Sequence, residues 1–79
     1  MVKVLFFAEA KRIVKKGEAE FDFAGRRVSD IKKELLRQYP AFDTIFKSVM
    51  FALNERYVSE DVLLNDGDVL AIIPPVGGG

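Results

Sequence analysis

The sequence predicts an α+β domain in which a mixed sheet of four to five strands packs on one main helix, and three observations carry that reading. Residues 2–8 and 69–73 are short, mostly apolar and rich in β-branched or aromatic side chains, as strands inside a sheet are. Between them, Val28, Ile31, Leu35 and Tyr39 recur three or four apart, which places them on one helical stripe. Gly25, Asn65-Asp66-Gly67-Asp68 and Pro74-Pro75 punctuate the rest. At 79 residues, with 49% hydrophobic and 30% charged side chains, the chain has room for one core and no separate catalytic module.

Taken in order, residues 2–8 alternate Val2, Val4 and Phe6 against Lys3, Leu5 and Phe7, with both faces largely apolar. A helix is expected on one face; the other is covered by loops or used as a contact surface. Residues 9–17 set Lys11, Arg12, Lys15 and Lys16 around Ile13 and Val14, a pattern compatible with a helical turn but read as a connecting loop. Residues 18–23 alternate acids with Ala19, Phe21 and Phe23, a half-buried second strand ended by Gly25. The helix follows, with Ser29 as its expected N-cap, Asp30 at the positive end of its dipole and Pro40 stopping it after Tyr39. A linker holding Phe42, Ile45 and Phe46 leads to a third strand at 49–53, a turn at Asn54-Glu55-Arg56 and a short strand at Tyr57-Val58. Residues 62–64 anchor the chain before Gly67, which can take the positive φ of a tight turn, and the last strand runs from Val69 to Ile73.

Composition excludes much chemistry. Twelve basic and 12 acidic residues give zero net charge, so no overall field draws the chain to nucleic acid or an anionic membrane. With no Cys and no His there is no thiolate, no usual zinc site and no imidazole base. Asp66 and Asp68 are too few for calcium, and no metal site is expected. No apolar run approaches the roughly 20 residues of a membrane span, so a cytoplasmic protein without signal peptide is expected. The four cations of residues 11–16 read as a solvated surface.

The end of the sequence is what propensity leaves unexplained: apolar, stiff over two prolines, then Gly77, Gly78 and Gly79. A segment without side chains threads a narrow channel and lets another backbone approach closely, which suits a carboxylate that must reach another protein's active site. That carboxylate would need adenylation by ATP before a sulfur nucleophile could displace AMP. Glycine-rich ends also occur as plain flexible linkers, and composition does not separate the two.

The segments VKVLFFA at 2–8, FALN at 51–54, LLNDGD at 63–68 and AIIPPVGGG at 71–79 together resemble the MoaD family, the small sulfur carrier subunits of molybdopterin synthase within the MoaD/ThiS ubiquitin-like superfamily. The resemblance implies a β-grasp domain at 1–75 with a flexible tail at 76–79. It implies that Gly79 is adenylated and then thiocarboxylated, that Gly77 and Gly78 give access, and that the sulfur passes to precursor Z in molybdenum or tungsten cofactor biosynthesis. Gly78 and Gly79 match the family's terminal pair; Gly77 stands where relatives often have Ser or Thr, which implies a more flexible tail. Phe7, Tyr57 and Ile73 match a hydrophobic contact patch that continues through Pro74, Pro75 and Val76.

The implied partners are a MoaE-like large subunit of the synthase, an E1-like, MoeB-like adenylating enzyme that uses ATP, and a sulfur donor enzyme. The isolated chain binds no cofactor and is a subunit rather than an enzyme alone. A carrier for tRNA or thiamine thiolation, a ubiquitin-like protein modifier using the same activation, and a purely structural adaptor are the alternatives.

Overall fold

In the computed structural model, which describes residues 1–75, the strand β1 (Val2–Phe6) lies between β2 (Glu18–Phe21) and the last strand β5 (Val69–Ile73). The strands β3 (Met50–Leu53) and β4 (Arg56–Val58) complete a five-stranded sheet in the order β2-β1-β5-β3-β4. β1 and β5 run parallel, whereas the β1–β2, β3–β5 and β3–β4 pairs are antiparallel. A parallel pair needs a crossover, and here most of the chain supplies it. Gly67 makes the last turn at φ 89°, so that its N–H donates to the Met1 carbonyl while the Lys3 N–H reaches the Asp68 carbonyl.

Parity divides the sheet into two unlike faces. On one face Val2, Val4, Phe6, Leu70, Ile72 and Phe51 are all buried. Against them packs α2 (Val28–Gln38), whose Val28, Ile31 and Leu35 are fully or almost fully buried, with Tyr39 partly so. The predicted stripe is therefore the core stripe. At the start of α2, the Asp30 carboxylate accepts from the Arg27 N–H at 2.9 Å. Ser29, the expected cap, lies one residue inside the helix, and its N–H donates to the Glu60 carbonyl at 2.9 Å. Chain from residues 60–62 thus satisfies donors that a side-chain cap would otherwise meet.

Two expected connections are helical. Residues 9–14, read as part of a loop, form α1 together with Ala8 (Ala8–Val14), because Ala10 and Val14, four apart, are both buried against the sheet. The strand before it consequently stops at Phe6 instead of Ala8. The expected linker after Pro40 forms a single turn, α3 (Phe42–Ile45), which buries Phe42 completely and stacks its ring on Phe46 at 4.7 Å. With one 11-residue helix and two short ones around the crossover, the layer arrangement remains a mixed sheet on one main helix.

Candidate functional site

Among the described residues no helix covers the second face of the sheet. The register aligns Leu5 with Ala71, Ala71 with Ala52, and Ala52 with Tyr57, so one row of side chains crosses four strands. Two adjacent alanines lower the middle of that row, while Leu5 and Phe7 rise at one end and Tyr57 at the other. The result is an apolar trough of about 390 Å³, with Val69 and Ile73 along its floor. Phe7 is 47% and Tyr57 69% exposed, and Met50, paired with Ile73 across β3–β5, is 50% exposed.

The rim beyond Tyr57 is the β3–β4 turn. Asn54 and Glu55 have φ of 50° and 70°, the left-handed conformation of a two-residue hairpin loop. Asn54 holds this turn to β5: its N–H donates to the Val69 carbonyl at 2.8 Å, its Oδ1 accepts from the Val69 N–H at 3.0 Å, and its Nδ2 donates to Asp68 at 3.0 Å. Among the described residues Glu55 is the one charged residue lining the trough. The displaced carboxyl pKa values belong to other places. Hydrogen bonds from Arg37 and Gln38 hold Glu34 at about 2, and the Met1 amino group holds Asp66 below the usual carboxylate range. Among the described residues the trough is lined by apolar side chains, with Asn54, Glu55 and Tyr57 as its polar groups, a lining suited to recognition.

Of the residues picked out in the sequence, Phe7, Tyr57 and Ile73 do come together around this trough. Phe7 is open to solvent instead of lying under a loop. Pro74 is buried, continuing past the strand the alternation that buries Leu70 and Ile72 on the core face. Pro75 is exposed, and lies in a second groove with Ala8, Glu9, Lys11, Arg12 and Lys15. Val76, Gly77, Gly78 and Gly79 lie outside the described residues. Leu5 lies, as expected, on the same face of β1 as Phe7, whereas Ala52 and Ala71 escaped the sequence reading; the signal lies in the alternation of FAL and VLAII, but only the pairing of β3 with β5 sets the two alanines side by side.

Among the described residues no group of three or more His, Cys, Asp or Glu is placed to hold a metal ion. No helix of the described residues is long and apolar enough to cross a membrane.

Comparison with known proteins extends this geometry. Residues 4–79 match the family described as the ThiS family. The chain is 37% identical over 81 residues to the molybdopterin synthase sulfur carrier subunit of Chlamydomonas reinhardtii, covering 99% of this chain and 98% of that protein. Among solved structures, a Pyrococcus furiosus protein described as molybdopterin converting factor subunit 1 superposes with a TM-score of 0.83 at 34% identity, over 95% of this chain and 97% of the other. The small archaeal modifier protein 1 of Methanosarcina acetivorans gives the same TM-score of 0.83 at 26% identity, over 99% of this chain and 95% of the other.

Proposed function

The chain belongs to the ThiS family and has the β-grasp fold of its structural relatives, and on that premise we propose that it is the sulfur carrier subunit of a molybdopterin synthase, acting in the cytoplasm. The observation that carries the proposal is the match, along nearly the whole of both chains, to a molybdopterin synthase sulfur carrier subunit.

In this reading residues 1–75 form the recognition body and residues 76–79 the reactive tail. The Gly79 carboxylate attacks the α-phosphorus of ATP in an adenylating partner, pyrophosphate leaves, and an acyl-adenylate forms. The persulfide of a donor enzyme then displaces AMP to give an acyl disulfide, and a second thiol of that enzyme cleaves its S–S bond, leaving a thiocarboxylate on Gly79 and a disulfide on the donor. The large subunit of the synthase takes up the loaded tail, sulfur passes to precursor Z, and water restores the carboxylate. The trough between Phe7 and Tyr57 suits the large subunit: it is apolar, uncharged except for Glu55, and built on a rigid sheet, as the centre of a protein interface is. ATP is consumed by the partner, and the carrier contributes position rather than catalysis.

The test is intact mass of the full chain after incubation with the organism's adenylating enzyme, ATP and a sulfur source. Replacement of one oxygen by sulfur is expected, and a chain lacking Gly79 should show no such change. An unchanged mass in the wild-type chain would overturn the proposal. A second reading, a ubiquitin-like modifier joined through Gly79 to a target lysine, is favoured by the likeness to the archaeal modifier protein. Recovery from cells of lysine-linked conjugates, in place of thiocarboxylated free chain, would select it.

A further inference from the structure

We propose that the groove formed by Lys11, Arg12 and Lys15 beside Pro75 docks an acidic surface of the ATP-using protein that activates the tail. The proposal rests on the carrier reading above and concerns a surface other than the apolar trough. Four residues follow Pro75, and even fully extended they reach no farther than about 14 Å. Any protein that brings a reactive centre to the Gly79 carboxylate must therefore press its channel mouth against the surroundings of Pro75. Those surroundings are Ala8, Glu9, Lys11, Arg12 and Lys15, three cations against one anion in a chain of zero net charge. Glu9 is engaged by Arg12. Among the described residues neither Lys11 nor Lys15 has a carboxylate within ion-pair distance. A channel mouth lined by Asp or Glu complements that pattern, steering the encounter and fixing the angle at which the tail enters.

The local structure is more costly than the fold alone requires. Lys11, Arg12 and Lys15 bring three like charges to one groove, where they repel one another. Lys15 also closes α1 in the left-handed conformation, φ 65° and ψ 28°, with its N–H donating to the Lys11 carbonyl at 2.7 Å. Glycine is the usual residue at such a helix end because it has no Cβ to clash. A lysine held there against both preferences marks a place where local rules yield to recognition.

The test is steady-state adenylation of the full chain by the organism's adenylating enzyme, followed by pyrophosphate exchange at low salt and at about 1 M salt, where the screening length falls to ~3 Å. Lys11→Glu/Lys15→Glu is expected to raise KM about tenfold or more at low salt with kcat unchanged, and the gap should close at high salt. Lys15→Gly separates recognition from folding: it should raise Tm while also raising KM. It carries the test if the double variant fails to fold. KM values for both variants within about twofold of wild type would overturn the groove but leave the carrier reading standing. Failure of the wild-type chain to be adenylated would overturn both. Shifts of Lys11 and Lys15 signals on adding ATP to the chain alone would also overturn the proposal, showing a nucleotide site instead of a protein contact.

Discussion

The β3–β4 turn shows how much one dihedral angle decides. Glu55 sits at φ 70°, where a side chain costs about 1–2 kcal/mol and glycine costs nothing sterically, although glycine also frees the unfolded chain by roughly 0.5–1 kcal/mol. Glu55→Gly should therefore stabilise the domain by a few tenths to about 1 kcal/mol, seen as a higher urea midpoint at unchanged slope. A lower midpoint would show that the carboxylate makes a compensating contact. On α2, Arg37 and Gln38 hydrogen-bond to Glu34 and hold its pKa at about 2 against an ordinary 4.5. Because the folded value is the lower one, the stabilisation this group contributes is complete above about pH 4.5 and is lost as pH falls toward 2. The group is exposed, so the effect on stability is small. Its clean signature is an NMR titration of the Glu34 carboxyl, which should move up toward the ordinary value in Arg37→Gln.

At the level of elements, the single turn α3 shows why a segment without periodicity can still belong to the core. Phe42 is completely buried, meets Tyr39 edge to face at 6.0 Å and stacks on Phe46 at 4.7 Å. Phe42→Ala is expected to cost about 3–5 kcal/mol, and Leu35→Ala on α2 about 2–5 kcal/mol. Small domains have only about 5–15 kcal/mol in total, so either change should visibly populate the unfolded state in chemical denaturation. A loss below about 1 kcal/mol for Phe42→Ala would mean that α3 is the linker its sequence suggests. The opposite economy operates in α1, where the small Ala10 is fully buried. Its lack of bulk lets a seven-residue helix lie close to the sheet, something no count of large apolar residues would detect.

For the whole molecule, the consequence of the five-stranded order is a sheet with one face sealed by α2 and the other left with a trough over Ala52 and Ala71. If the trough receives the large subunit, filling it should separate assembly from folding. Ala71→Leu, at the half-buried position of the row, adds bulk on the open face, so the circular dichroism spectrum and Tm should stay close to wild type. Affinity for the large subunit should fall about tenfold or more, because the bulk lies at the centre of the apolar contact. Loss of folding together with binding would show instead that Ala71 is required by the sheet itself. Thiocarboxylate formation on Gly79 should be less affected than transfer to precursor Z, since the groove at Pro75 is a separate surface.

By itself the sequence determined the class of the fold, the α2 stripe, the terminal strands and the turn at Gly67, because each is written in local periodicity or backbone permission. Phe7, Tyr57 and Ile73 entered through a family resemblance that quoted contiguous segments, and strand parity already put Phe7 opposite Phe6. Tertiary structure alone decided that Ala10 and Phe42 are core, and that Arg27 rather than Ser29 is the N-cap of α2, with Asp30 accepting from its N–H. It also set two alanines from β3 and β5 side by side and brought α1 cations beside Pro75. These depend on contacts between residues far apart in the chain, and a local pattern carries no record of which distant segment will lie against it.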